Sequence, residues 1–224
     1  MNPLFTIGDQ VGEAIQVSHE RSKIRGNVKQ ETVLWLGRVG LPDPDDTFLK
    51  YPHELSGGMR QRAMIAMALA SKPSLMLADE PTSALDVSIQ AQILELIRAL
   101  TREVETSVLF ISHDLAVVAQ IADRVAVMYA GKIVEEAPVS EIFEKPLHPY
   151  TRALLESFPK LFSTSERLAV IPGSVPDPVH LPSGCPFHPR CKYVMEVCKQ
   201  EVPELKEVNK GHKASCLLYE EGRT

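Results

Sequence analysis

Residues 55–62 read LSGGMRQR. A serine and two glycines just ahead of a basic helix form a device for holding phosphate, because glycines let backbone N–H groups approach an anion and a helix N-terminus favours negative charge. Nineteen residues on from Leu55, the apolar run SLMLADEP at 74–81 ends in two adjacent acids, Asp79 and Glu80. Mg²⁺ with a nucleotide suits such a pair: the first acid holds the metal's water shell, and the second faces the γ-phosphate and orients or deprotonates the attacking water. The bland alternative is a strand end with two solvated acids. His113, closing the next apolar run, can reach the same edge, although a lone histidine there is more often structural. LSGG, MLADE, SALD and SHD nevertheless follow one another in fixed order at the ends of successive elements.

The elements that must position these groups show in the periodicity. TIGDQVGEAIQVS at 6–18 and VKQETVLWLGRV at 28–39 carry apolar residues at helical spacing. LPDPDD then breaks the pattern. RQRAMIAMALA makes a helix of small residues that stops at Lys72-Pro73. SLMLADEP reads as a buried parallel strand that delivers Asp79 and Glu80 at its C-terminal edge, where open α/β sheets place ligands. A turn at PTSALD, a helix over about 88–103, a strand SVLFIS, a helix LAVVAQIAD and a strand RVAVMYAG running on to KIVEEA complete the series. Strand–helix alternation predicts an α/β fold with a parallel sheet.

The chain has 224 residues, 44% of them hydrophobic, enough for a sizeable core. No apolar stretch approaches the roughly 18 residues that span a bilayer, and no signal segment opens the sequence. With 24 Lys+Arg against 29 Asp+Glu the formal charge is −5, so nucleic acid is not an expected partner. The most basic stretch, ERSKIRGNVK at 20–29, reads as a solvated helix face or loop.

From about residue 158 the texture changes, with Pro159, Pro172, Pro176, Pro178 and Pro182 in a linker or loop-rich appendage. All four cysteines follow, at 185, 191, 198 and 216. Their spacing lacks the C-x2-C pairs of a zinc ribbon. Spacing alone leaves open a bound metal or cluster, structural free thiols, or disulfides; four thiolates suit zinc or an iron–sulfur cluster.

LSGGMRQR at 55–62, SLMLADEP at 74–81, SALD at 83–86 and ISHD at 111–114 resemble the signature motif, Walker B strand, D-loop and switch histidine of the ATP-binding subunit of an ABC transporter. YPHELSGGMRQR, DEPTSALDVSIQAQIL, HPYTRALL and GCPFHPRC are similar to its oligopeptide/dipeptide importer branch, which also contains nickel importers.

The resemblance implies an ATP-hydrolysing subunit that uses ATP and Mg²⁺. Glu80 would be the catalytic base, Asp79 the Mg²⁺ ligand through water and His113 the γ-phosphate sensor. Ser56, Gly57 and Gly58 would contact ATP held on another subunit, and Ser83 and Asp86 would couple the two sites. Implied partners are a second ATP-binding subunit, two transmembrane permease subunits and, indirectly, an extracytoplasmic solute-binding protein. The implied location is the cytoplasmic face of the membrane, peripherally bound.

The implied architecture is α/β: an incomplete P-loop-NTPase (RecA-like) layer with a helical subdomain and a Cys-rich extension. Residues 1–54 would be the helical subdomain docking on membrane subunits, 55–157 the ATPase core, and 158–224 the linker and extension. Cys185, Cys191, Cys198 and Cys216 would suit a [4Fe–4S] cluster ahead of zinc, with His188 and His212 as substitute ligands.

One departure affects mechanism. No G-x-x-x-x-G-K-[ST] string occurs in the sequence, and MNPLFTIGDQ aligns with the stretch after the family's Q-loop. The expectation is a chain lacking the N-terminal portion with the P-loop, inactive by itself and aggregation-prone. Alternatives are a subunit importing nickel or another small solute, and a non-catalytic module lending its signature motif to a partner.

Overall fold

Thr6 starts the first helix with a reciprocal cap: its hydroxyl accepts the Asp9 N–H at 3.1 Å, and the Asp9 carboxylate accepts the Thr6 N–H at 3.1 Å. The computed structural model describes residues 1–23, 26–83, 85–157 and 170–220. Ala84 of SALD, Pro159 of the proline run and residues 24 and 25 of the basic stretch lie outside the described residues. Two units result, Met1–His113 and Asp114–Thr224.

In the first unit, α1 (Ile7–Ser22), α2 (Val28–Arg38), α3 (Pro44–Leu49) and α4 (Gly57–Ala70) pack together through Ile7, Val11, Ile15, Leu36, Ala66 and Leu69, all buried. The expected break at LPDPDD is in fact the start of α3. Pro44 sits in its first turn, where a missing N–H removes no helical hydrogen bond. Then come β1 (Leu75–Asp79), α5 (Val87–Glu103) and β2 (Ser107–Ile111). Thr106 closes the crossover by donating its hydroxyl to the Pro73 carbonyl at 2.6 Å.

β1 and β2 pair in parallel, with Leu77 opposite Leu109 and Asp79 opposite Ile111. The expectation of a strand buried on both faces fails here. Met76 and Ala78 point inward, whereas Leu77 is 67% and Leu109 53% exposed, and Leu75 and Ile111 share that open face.

The second unit contains α6 (Leu115–Ile121), β3 (Arg124–Tyr129), β4 (Lys132–Pro138), α7 (Val139–Glu144), α8 (Pro149–Glu156), β5 (Lys206–Asn209) and β6 (His212–Ala214). RVAVMYAG and KIVEEA are not one strand but an antiparallel hairpin, turning at Ala130 and Gly131 with φ of 47° and 77°. Among the described residues, parallel pairing is thus confined to β1 and β2. The loop-rich tail contributes more than sequence suggested: β6 pairs with β4, and β5 with β6, giving the order β3-β4-β6-β5. Val127, Tyr129, Val134, Ala137, Ile142 and Phe187 form this unit's core, with Cys185 and Cys191 against it.

Candidate active site

Ser56 caps α4, its hydroxyl accepting the Met59 N–H at 3.3 Å, so Gly57 and Gly58 open the helix. Their small size has a packing reason beside the functional one. A Cβ on Gly58 would meet Ile89 Cγ2 at 3.0 Å, and one on Gly57 would meet Leu85 Cδ2 at 3.8 Å. The signature segment therefore lies against the turn and first helical residues that follow Ser83.

Asp79 ends β1, and Glu80 leaves the strand with φ of 43°, a left-handed conformation unusual for a side-chain-bearing residue. The Glu80 N–H donates to the Ile111 carbonyl at 3.0 Å, extending the ladder by one bond. The Glu80 carbonyl accepts from the Ser83 N–H at 3.3 Å and the Ser83 hydroxyl at 3.2 Å, so the turn closes behind it. Asp86 N-caps α5 by position, with no side-chain cap bond.

The structure brings two predicted residues together directly: His113 Nδ1 lies 2.7 Å from Glu80 Oε1. Both side chains are solvent-exposed, as is Asp79. The expected cost of burying two adjacent acids therefore does not arise at this strand end. The arrangement aligns an acid with an imidazole at the C-terminal edge of a parallel strand pair, a geometry for orienting a water molecule. Asp114 has a local role, its carboxylate accepting the Ala116 and Val117 N–H groups at the start of α6.

In the second unit all four cysteines are free thiols. They sit near enough to act on one another: burial pushes the Cys185 and Cys191 thiols up and the Cys216 thiol up to about 11, and neighbouring thiols add to each. Backbone N–H groups aim at the sulfurs, from Tyr193 to Cys191 at 3.4 Å, from Met195 to Cys198 at 3.5 Å, from Phe187 and His188 to Cys185, and from Leu218 to Cys216. Among the described residues no group of three or more His, Cys, Asp or Glu could hold a metal ion.

The expected substitute ligands are engaged elsewhere. His188 bonds the Cys185 carbonyl and His212 bonds Glu135. Sequence reasoning passed over Glu135 altogether, and only its place between apolar neighbours in KIVEEAP could have flagged it.

Comparison with known proteins decides the family. The "ABC transporter" family matches residues 2–83, and the "Oligopeptide/dipeptide transporter, C-terminal region" matches 134–198. The oligopeptide transport ATP-binding protein AppD of Bacillus subtilis is 48% identical over 221 residues, covering 99% of this chain and 67% of AppD. The chain belongs to the ATP-binding proteins of the ABC transporter family. The dipeptide transport ATP-binding protein DppD of Escherichia coli is 46% identical, over 96% of this chain and 65% of its own length. This ABC family member thus spans about two thirds of the length of these relatives. Among solved structures, a dimeric ATP-binding cassette in a post-hydrolysis state with ADP and Pi is similar at a TM-score of 0.52 and 28% identity, over 62% of this chain and 59% of that one. Among the described residues no helix is long and apolar enough to cross a membrane.

Proposed function

We propose that this chain is an ATP-hydrolysing subunit of a peptide importer and that Glu80 and His113 are its hydrolytic pair. The observation that carries the reading is the 2.7 Å contact between His113 Nδ1 and Glu80 Oε1 at the end of parallel strands. Glu80 orients or deprotonates the attacking water, His113 holds that carboxylate and senses the γ-phosphate, and Asp79 holds Mg²⁺ through water. Ser56, Gly57 and Gly58 face the ATP of a second ATP-binding subunit, and Ser83 and Asp86 couple the two sites. Residues 1–54 form the helical subdomain that docks on two transmembrane permease subunits at the cytoplasmic face, with an extracytoplasmic solute-binding protein upstream of them. The relatives' names carry peptide as substrate; nickel or another small solute is the alternative cargo.

Phosphoryl transfer needs a cradle for the β- and γ-phosphates, and no P-loop string occurs in these residues. The cradle that completes the Glu80 site therefore comes from residues outside this sequence, upstream in the same polypeptide or on another. The test is ATP hydrolysis by the chain alone, with its paired ATP-binding subunit, and as a version extended upstream through any P-loop. Turnover only by the extended form, abolished by Glu80→Gln, supports the enzyme reading. Turnover by the partner that depends on Ser56 of this chain but survives Glu80→Gln assigns it instead as a non-catalytic module.

The clustering of all four cysteines in the tail is what supports a metal-bearing role. They form no disulfides, and backbone N–H groups point at the sulfurs of Cys191 and Cys198, which is how proteins stabilise thiolate charge. Cys185, Cys191, Cys198 and Cys216 would be the ligands of a [4Fe–4S] cluster ahead of zinc; as they stand in the structure, no three of them are placed to hold a metal ion. Such a cluster would supply one-electron redox chemistry or a structural crosslink to the tail. One equivalent of zinc in a colourless anaerobic preparation would reverse that choice.

A further inference from the structure

Arg62 reaches two other elements at once from the second turn of α4. Its Nη1–H donates to the Val39 carbonyl at 2.8 Å, and its Nη2–H donates to Gln92 Oε1 at 3.1 Å. Val39 is the buried C-cap of α2, and carbonyls in a last helical turn lack intrahelical partners and favour a cationic donor. Gly40 makes room for the guanidinium: it takes φ of 71°, and a Cβ there would stand 3.1 Å from Arg62 Nη1.

The contact with Gln92 is the second rung of a ladder that starts at the signature glycines. A Cβ on Gly58 would meet Ile89 at 3.0 Å, and Arg62 meets Gln92 about one turn further along both helices. Arg60 serves the same segment from within α4, its Nη1–H donating to the Leu55 carbonyl at 3.0 Å, just ahead of Ser56. A guanidinium suits position 62 because its planar fork carries N–H groups in fixed directions, so one side chain holds both acceptors. The start of α4 cannot slide along α5 or tilt away from α2 without breaking one of these bonds.

Ser56, Gly57 and Gly58 lie about one turn before Arg62, and Asp86 leads directly into α5. We infer that Arg62 is a positioning residue for ATP hydrolysis, holding the signature serine and glycines and the turn that carries Ser83 and Asp86 as one lip toward the nucleotide of the second subunit. The inference rests on the reading of those residues as ATP-facing. Arg62 itself acts through them and through the α2 and α5 contacts.

The test uses this chain in complex with its paired ATP-binding subunit, whose cradle holds the nucleotide. Wild type is compared with Arg62→Met, Gln92→Leu, the double variant, Arg62→Lys, Ser56→Arg and Arg98→Met. Arg98 is exposed further along α5 and controls for the loss of a cation. Phosphate release at saturating ATP gives kcat, and equilibrium binding gives the ATP affinity that the cradle sets. The expected result for Arg62→Met is a kcat lower by about tenfold to 100-fold, the scale of a misplaced group, with ATP affinity within about twofold of wild type. Arg62→Lys keeps the charge without the fork and should fall between wild type and Arg62→Met. The double variant should be no slower than Arg62→Met, because Gln92 acts through the same contact, and Arg98→Met should match wild type. If Arg62→Met does not fold, Gln92→Leu, at an exposed position, carries the comparison with a smaller fall in kcat. If Ser56→Arg stops turnover while folded Arg62→Met or Gln92→Leu releases phosphate at the wild-type rate, the inference is overturned and the ATP-facing reading stands. Losses that multiply in the double variant overturn it as well. Turnover that Ser56→Arg leaves untouched overturns both the inference and the reading beneath it.

Discussion

Glu80 Oε1 and His113 Nδ1 stand 2.7 Å apart although 33 positions separate them in the chain. Parallel pairing of β1 and β2 brings them together, because the two strands end at the same level, with Asp79 opposite Ile111. In a complex where the phosphate cradle is supplied, Glu80→Gln is expected to lower ATP turnover by about 100- to 10,000-fold, the range for losing a general base. His113→Ala should also lower it while leaving nucleotide binding intact. Single-turnover hydrolysis beside equilibrium ATP binding checks both; unchanged turnover in either variant removes that residue from the pair.

Gly184 has φ of 70°, and a Cβ there would come within 2.4 Å of the Cys198 carbonyl oxygen and 2.6 Å of the Lys199 carbonyl carbon. Both obstacles are backbone and cannot swing aside. Gly184→Ala should therefore separate the Cys185 loop from Cys198, breaking the 2.8 Å bond from the Cys185 N–H to the Cys198 carbonyl. The expected cost is about 2 kcal/mol or more, from strain added to overpacking. Thiol titration with an aromatic disulfide should show Cys198 newly reactive while the first unit stays protected from proteolysis.

His148 makes the second unit acid-sensitive. Burial pulls its imidazole down to about 4, with Glu135 opposing in part, and its Nδ1 must stay unprotonated to accept the Tyr150 N–H at 3.0 Å. Between about pH 6.5 and about pH 4 the unfolded chain holds a proton that the folded chain lacks. Stability should fall as pH drops through that window, by up to about 1.4 kcal/mol per pH unit, and this contribution should level off below it. Urea unfolding at about pH 7 and about pH 5 measures the slope; a His148→Gln protein with an equally steep slope would count against this assignment.

The open face of β1 and β2 predicts poor solubility. Leu77 and Leu109 lie side by side and exposed, and among the described residues the two-stranded sheet has no strand on either edge. Leu77→Ser should raise the concentration at which the chain aggregates with little change in its melting temperature, since the side chain has little burial to lose. Light scattering against concentration is the check, and a variant that aggregates as readily as the parent places the problem elsewhere.

What could be read from sequence was what local pattern encodes. The apolar runs ending at Asp79 and near His113 marked strand ends, and Ser56 before two glycines marked a helix start. All three hold in the structure. Exposure was misjudged because a continuous apolar run does not say how many of its faces find cover. The tail strands were missed because Lys206–Asn209 and His212–Ala214 are short and polar; they pair with each other across a turn, and β6 is joined to the rest of the sheet only by β4, far upstream in sequence. Glu135 was missed for a related reason: its three donors, the Leu147 and His148 N–H groups and His212 Nε2, lie 12, 13 and 77 positions away.

The distance between Glu135 and His212 also sets a timetable. A ribosome adding roughly 5 to 20 residues per second needs several seconds to make the 77 positions between them. The β3–β4 hairpin, a structure that closes in about 1 to 10 microseconds, is complete long before β6 exists to cover it. Throughout that interval β4 presents an unpaired edge with an acid facing a half-built core. The nascent chain is thus open to mispairing and to quality-control factors until His212–Ala214 emerges, and that short strand acts as the seal on the newly made hairpin.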